Sequence, residues 1–377
     1  MTDLHTLETP AALVDEQKMQ RNIARMQQRM HAFGVNFRPH VKTSKCLPVV
    51  QAQLASGACG ITVSTLKEAE QFFSSGIRDI LYAVCIVPAK LPQVLKLRRQ
   101  GCNLKIITDS VEGAQAIAQF GQAHQENFDV LIEIDADGHR SGVTPDAPEL
   151  LAIGQLLSNA GMHLCGVMAH AGSSYEYDDP LSLAQIAEQE RARTVHAAQR
   201  LREAGLPCPT VSIGSTPTAL SAQSLEGITE VRAGVYVFFD LVMHNVGVCA
   251  SEDIALSVLT TVIGHQPSKG WVIVDAGWMA MSRDRGTQKQ KRDFGYGLIC
   301  DEQGDPIPGF IMQGANQEHG IVCCINGSGS DVVQQFPIGT RLRVLPNHAC
   351  ATGAQFPYYQ AMLTDGRLQT WPRFYGW

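Results

Sequence analysis

Over the first two-thirds of the chain, short apolar runs rich in Val and Ile alternate with stretches whose apolar residues recur every three or four positions. The runs at 35–41, 60–64, 79–84, 104–108, 129–134, 165–169, 210–213 and 229–232 predict eight strands. The stretches between them predict helices. Ahead of the first strand, Met19, Ile23, Met26, Met30 and Phe33 trace one apolar helix face. Thr65 and Glu68 form a capping-box pattern that opens another helix. Strands separated by helices pair in parallel through right-handed crossovers. Eight such units in about 240 residues predict a TIM barrel, with an open doubly wound sheet as the rival.

From about residue 250 the pattern changes. Runs at 255–263, 271–274, 321–325 and 341–345, set apart by Gly, Pro, Asn and Asp, predict a mostly antiparallel β domain. The expected division is therefore a barrel over 12–248 and a β domain over 249–377 with residues 1–11. The chain has 377 residues, 45% hydrophobic and 18% charged, enough to bury a large core. A net charge of −6 without a Lys/Arg block argues against nucleic acid as partner. No basic-then-apolar leader and no membrane-length apolar run is present, so a cytoplasmic protein is expected. Eleven cysteines without CxxC spacing fit reduced thiols there.

Candidate chemistry clusters just after the expected barrel strands, where that architecture keeps its active sites. Lys42 follows the first strand, in Arg38-Pro39-His40-Val41-Lys42, where Pro39 forces Arg38 to be extended. A lysine amine can form a Schiff base with an aldehyde. Asp135 to Gly142, with Arg140, follows the fifth strand, and His170-Ala171-Gly172 follows the sixth. Gly214-Ser215-Thr216 and Gly234-Val235-Tyr236 follow the last two strands, a frequent phosphate position. Far downstream, His348-Ala349-Cys350 sets two soft metal ligands side by side, a pairing that suits zinc. His319 is a candidate third ligand or a turn residue, and Asp275 is either catalytic or a turn former. GxGxxG, Walker A, GxSxG and HExxH motifs are absent, which removes support for dehydrogenase, NTPase, serine-hydrolase and zincin readings.

Arg38–Lys42, the 212–217 loop, Arg232–Tyr236 and Pro346–Thr352 together resemble the fold-type III pyridoxal-phosphate enzymes, within them the D-threonine aldolase and D-serine dehydratase group. The resemblance runs from Glu8 to Cys350. It implies an alanine-racemase-like barrel followed by a β domain, a homodimer, and a D-3-hydroxy amino acid as substrate. It makes Lys42 the Schiff-base lysine, sets Arg140 on the cofactor's phenolic oxygen and packs His170 on the pyridine face. Gly214, Ser215, Thr216, Gly234, Val235 and Tyr236 would hold the phosphate, and His348 with Cys350 a divalent metal. His-x-Cys, against the His-x-Asp of typical aldolases, favours zinc over manganese and water elimination over aldol cleavage. Aldolase, racemase and non-catalytic cofactor-carrier readings stand as alternatives. Ser44 replaces a histidine common two residues after the lysine, and the Trp278–Gly286 loop is unusual; both bear on the substrate.

Overall fold

The computed structural model of the protein describes residues 4–325 and 331–377, so the reading of the N-terminus falls in part, at residues 1–3, outside the described residues. Nine strands lie in its first two-thirds: β1 (Ala11–Asp15), β2 (Asn36–Phe37), β3 (Ile61–Val63), β4 (Asp79–Cys85), β5 (Asn103–Thr108), β6 (Asp129–Ile134), β7 (His163–Ala169), β8 (Thr210–Ile213) and β9 (Glu230–Val231). β2 to β9 form an all-parallel sheet in the order β2-β9-β8-β7-β6-β5-β4-β3. A parallel bridge between His40 and Thr62 joins the two ends, giving the TIM-type barrel rather than the open sheet.

The closing segment shows why the first strand is short. Pro39 has no N–H, which interrupts the ladder after Phe37. Pairing nonetheless continues through Lys42's neighbours: Arg38 and His40 donate to Val231 and Ala233, while the Pro39 carbonyl accepts from Thr62 and Val41 donates back to it. Lys42 thus leaves the barrel at the C-terminal end of a segment held on both sides.

A buried polar network ties four strands together. Arg38 Nε donates to Glu230 at 2.7 Å and Arg38 Nη1 to Asp79 at 2.6 Å. Ser212 Oγ donates to Glu230 at 2.8 Å and accepts from Arg232 Nη1 at 2.7 Å. Removing one partner of such a buried pair costs about 3–5 kcal/mol, because the other charge is stranded away from water. The expected amphipathic helix runs Glu16–Ala32, with Met19, Ile23, Met26 and Met30 buried and Phe33 just beyond its end. The Thr65 cap is present in both directions: Thr65 Oγ1 accepts from Glu68 N, and the Glu68 carboxylate accepts from Thr65 N.

The remaining strands are β10 (Leu256–Gln266), β11 (Trp271–Val274), β12 (Gly297–Cys300), β13 (Pro306–Ala315), β14 (Gly320–Cys324), β15 (Arg341–Pro346), β16 (Tyr358–Met362) and β17 (Leu368–Pro372). With β1 they form a nine-stranded sheet, antiparallel except for the β1–β16 pair. β10 pairs with β15 through its first half and with β11 through its second, across an irregularity at Val262/Gly264. That bend closes β10, β11, β14, β13, β12 and β15 on themselves. Val258, Val262, Val274, Ile299, Met312 and Val344 fill the core between them.

The chain forms two compact units, one of residues 24–234 with 374–377 and the other of residues 1–23 with 235–373. β1 therefore belongs to the second. Among the described residues no helix is long and apolar enough to cross a membrane, and all eleven cysteines are thiols.

Candidate active site

The barrel unit gathers its chemistry at the C-terminal ends of the strands. Lys42 is exposed in the turn after β2, its N–H 3.4 Å from His40 Nδ1. His170, directly after β7, donates from Nδ1 to the Gly214 carbonyl at 2.8 Å, which fixes both its tautomer and its ring. Desolvation, opposed by that hydrogen bond and reinforced by Arg140, Lys42 and Arg232, pushes the His170 pKa down to about 3. His40 is likewise pushed well down by desolvation and by Lys42, Arg232, His170 and Arg140. Sequence reasoning passed over His40 as a mere neighbour of the lysine.

The glycines do what close approach requires. At Gly214, with φ +135°, a Cβ would lie 2.1 Å from the Arg232 carbonyl oxygen. At Gly234 it would lie 3.0 Å from the His40 oxygen. Ser215 caps the helix Thr216–Ser221: its Oγ accepts from Thr218 N, and its own N–H donates to Thr218 Oγ1. Ser215 Oγ also meets Ser174 Oγ at 2.8 Å, so its polar groups shape the loop. Thr216 is buried at the first position of that helix. Val235 and Tyr236, next in the chain after Gly234, are buried in a 3-10 turn, Val235–Val237.

The loops are tied to one another. Asp137 Oδ2 accepts from both the N–H and the hydroxyl of Ser173, at 2.8 Å each, joining the loops after β6 and β7. Arg140 lies 3.7 Å from Glu133. Cys85, Asp109 and Glu133, at the ends of β4, β5 and β6, bring three potential metal donors within 4.8 Å of one another. Burial and the two carboxylates push the Cys85 thiol far up, and it donates to Glu133 at 3.2 Å. A protonated thiol is a hydrogen-bond donor, whereas a metal ligand is a thiolate.

This mouth fits pyridoxal phosphate. Burial, reinforced by three cationic side chains, disfavours protonation of two imidazoles; those cations make an electrostatic setting for a dianionic phosphate, beside an exposed lysine amine and glycines that admit close backbone approach.

The second unit holds the His-x-Cys pair. His348 Nδ1 donates to Asp284 Oδ2 at 2.5 Å, and Cys350 is hydrogen-bonded to the same imidazole. Desolvation would lower the His348 pKa; Cys350, Asp284 and Asp240 overcome it and raise it to about 11. The sulfur and carboxylates around His348 favour positive charge there, and the donor set of imidazole and sulfur fits a divalent ion. The turn is rigidly built. Buried Asp240 accepts from Ala349 N, between His348 and Cys350, and caps the helix Leu241–Val246 through Met243 N. Asn347 donates to the Gly295 carbonyl at 2.7 Å and accepts from Thr287 Oγ1.

Asp284 and Asp240 escaped sequence reasoning, although Asp284 lies in the Trp278–Gly286 loop already singled out there. His319 does not take the place of Asp284: it is exposed in the β13–β14 turn, where its carbonyl accepts from Asn316 N. Asp275 is a strand tie, accepting from Thr9 Oγ1, Thr260 Oγ1 and Thr261 N. Asp284 orients the imidazole by its second nitrogen, as carboxylates do for histidines that bind metals. Asp284→Asn is expected to weaken divalent-metal affinity by about 10–100-fold, measured by chelator competition.

A barrel with a lysine leaving its first strand and glycine turns after its last two, followed by a β domain, defines a fold-type III pyridoxal-phosphate enzyme. Residues 14–242 match the alanine racemase N-terminal domain family and residues 255–362 a putative serine dehydratase domain, and the chain belongs to this family of pyridoxal-phosphate-dependent lyases. It is 67% identical to the D-threo-3-hydroxyaspartate dehydratase of Delftia sp. strain HT23, over 99% of both chains. It is 30% identical to the D-serine dehydratase of Dictyostelium discoideum, over 97% of this chain and 96% of that one. A solved structure of D-threo-3-hydroxyaspartate dehydratase, a cysteine-to-alanine variant in the metal-free form, superposes with a TM-score of 0.98 at 67% identity over the whole of both chains.

Proposed function

We propose that the protein eliminates water from D-3-hydroxy amino acids, D-threo-3-hydroxyaspartate foremost, to give a 2-oxo acid and ammonia. The full-length 67% identity to a dehydratase of that substrate carries the reading. The His348–Cys350 pair supports it, since a cysteine variant of such an enzyme is described as metal-free.

Lys42, Arg140, His170, Gly214, Thr216, Gly234, Val235 and Tyr236 would hold the cofactor, with Ser215 shaping the loop, and His348 and Cys350 would hold a divalent ion, zinc by ligand softness. When bound, pyridoxal phosphate supplies a sink for the electrons at Cα, and the ion a Lewis acid for the β-hydroxyl. Lys42 Nζ takes the Cα proton, and the electron pair left there expels hydroxide from Cβ. The enamine product tautomerises and adds water outside the enzyme's chemistry, releasing ammonia. His170, kept neutral by burial and fixed in orientation by the Gly214 carbonyl, offers a flat uncharged face that does not compete for the Cα proton. A homodimer in the cytoplasm belongs to the same reading.

A product assay tests it. With D-threo-3-hydroxyaspartate, elimination gives oxaloacetate and ammonia, and with D-threonine 2-oxobutanoate and ammonia. Glycine with glyoxylate or acetaldehyde would assign carbon–carbon cleavage instead and overturn the proposal.

A further inference from the structure

Glu190 lies near the middle of the long helix Pro180–Glu203, with no accessible surface. Carboxylates are almost never fully buried unless their charge or hydrogen bonds are answered. This one answers backbone. Its Oε1 accepts from Ala171 N at 2.9 Å and from Gly214 N at 3.0 Å. Those two amides belong to different loops, one following β7 and the other β8. Its Oε2 is buried with no hydrogen-bond partner among the described residues.

The consequence lies one bond further on. Gly214 is held by its N–H on Glu190 and by its C=O on His170 Nδ1. Its peptide environment is thus fixed from both sides at a glycine whose φ, +135°, no other residue adopts easily. Ala171, the other residue gripped by Glu190, is the chain neighbour of His170, and its carbonyl accepts from Ser174 Oγ, which in turn meets Ser215 Oγ. Helix, imidazole and glycine loop form one connected set of hydrogen bonds. An apolar residue at 190 would pack the helix at lower desolvation cost but would leave two buried amides unanswered.

We propose that Glu190 is a positioning residue: its carboxyl clamps the loops after β7 and β8, and thereby holds His170 and the Gly214 peptide in the orientation the cofactor needs. The proposal rests on the pyridoxal-phosphate reading of the barrel mouth. Burial raises the Glu190 pKa, opposed by Thr218 and the two amides, so a neutral side chain that keeps the acceptor oxygen is a fair substitute.

The test compares Glu190→Gln, Glu190→Ala and Glu190→Leu with the wild type in the full chain. Two readouts are used: pyridoxal phosphate affinity by absorbance titration, and the His170 tautomer by ¹⁵N NMR of the imidazole. Glutamine keeps the acceptor and is expected to leave affinity within about threefold and the Nδ1–H form intact. Alanine is expected to weaken cofactor binding by about tenfold or more and to broaden or lose the Nδ1–H signal, because the Gly214 carbonyl is released. Leucine fills the space without an acceptor and gives the same answer if the alanine variant does not fold. Wild-type affinity and an unchanged His170 signal in both variants would overturn the clamp. A wild type that binds no cofactor would overturn the barrel-mouth reading instead, while the imidazole signal still reports whether Glu190 fixes His170.

Discussion

Replacing Lys42 by alanine is expected to lower kcat by about 10⁴-fold and to abolish the visible absorbance of bound pyridoxal phosphate. Two functions are lost together: the amine that binds the cofactor's aldehyde and the base that takes the Cα proton. The fold should survive, because Lys42 is exposed; surface changes of this kind shift stability by only about 0.5 kcal/mol either way. A thermal unfolding curve of the cofactor-free variant matching that of the cofactor-free wild type therefore separates chemistry from folding. Lys42→Arg should fail equally, since a guanidinium keeps the charge but neither bonds the aldehyde nor gives up its proton near neutral pH. Retained turnover in the alanine variant would place the essential amine elsewhere.

The barrel was legible in the sequence because strands buried on both faces read as uninterrupted apolar runs. Val130 to Ile132 and Val167 to Ala169 are such runs, and all eight strands fall where the expected runs lie. The β domain was half legible. Trp271–Val274 appears at its expected bounds, but β13 begins Pro306-Ile307-Pro308-Gly309, a turn composition, and its pairing with β12 and β14 is irregular. β1, β16 and β17 complete one edge of the sheet. β1 has an apolar run, Ala11–Val14, but its partners β10 and β16 lie far along the chain, and β17 is largely exposed, so no local pattern assigned these strands to this sheet. Lys42, His170 and Gly214 were visible because they end strands. Glu190 was not: in Ala187-Glu188-Gln189-Glu190-Arg191 it reads as part of a solvated helix face, and only the loops folded over it bury it. Asp284 and Asp240 were invisible for a related reason, since each acts on a turn distant in sequence, His348 to Cys350.

Cys350→Ala is expected to release the divalent ion and to lower β-elimination by about 10²–10³-fold while pyridoxal phosphate stays bound. The argument starts from ligand number. The pair offers one imidazole and one sulfur, and losing the sulfur leaves a single neutral ligand, too few to hold a divalent ion against a chelator. The turn itself should persist, because it is fixed by Asp240 on Ala349 and by Asn347 on Gly295, neither of which involves the sulfur. Proton removal from Cα depends on Lys42 and should continue, so exchange of the α-proton of D-threonine with solvent deuterium is expected to outlast elimination. That split distinguishes loss of leaving-group assistance from collapse of the site, which would remove both. Cys350→Asp carries the test further. A carboxylate is a harder ligand, and the preference is expected to move from zinc toward manganese, with activity partly restored by the latter. Chelation of the wild type should reproduce the alanine phenotype without mutation; elimination that continued at full rate after the metal was stripped would take His348 and Cys350 out of the mechanism.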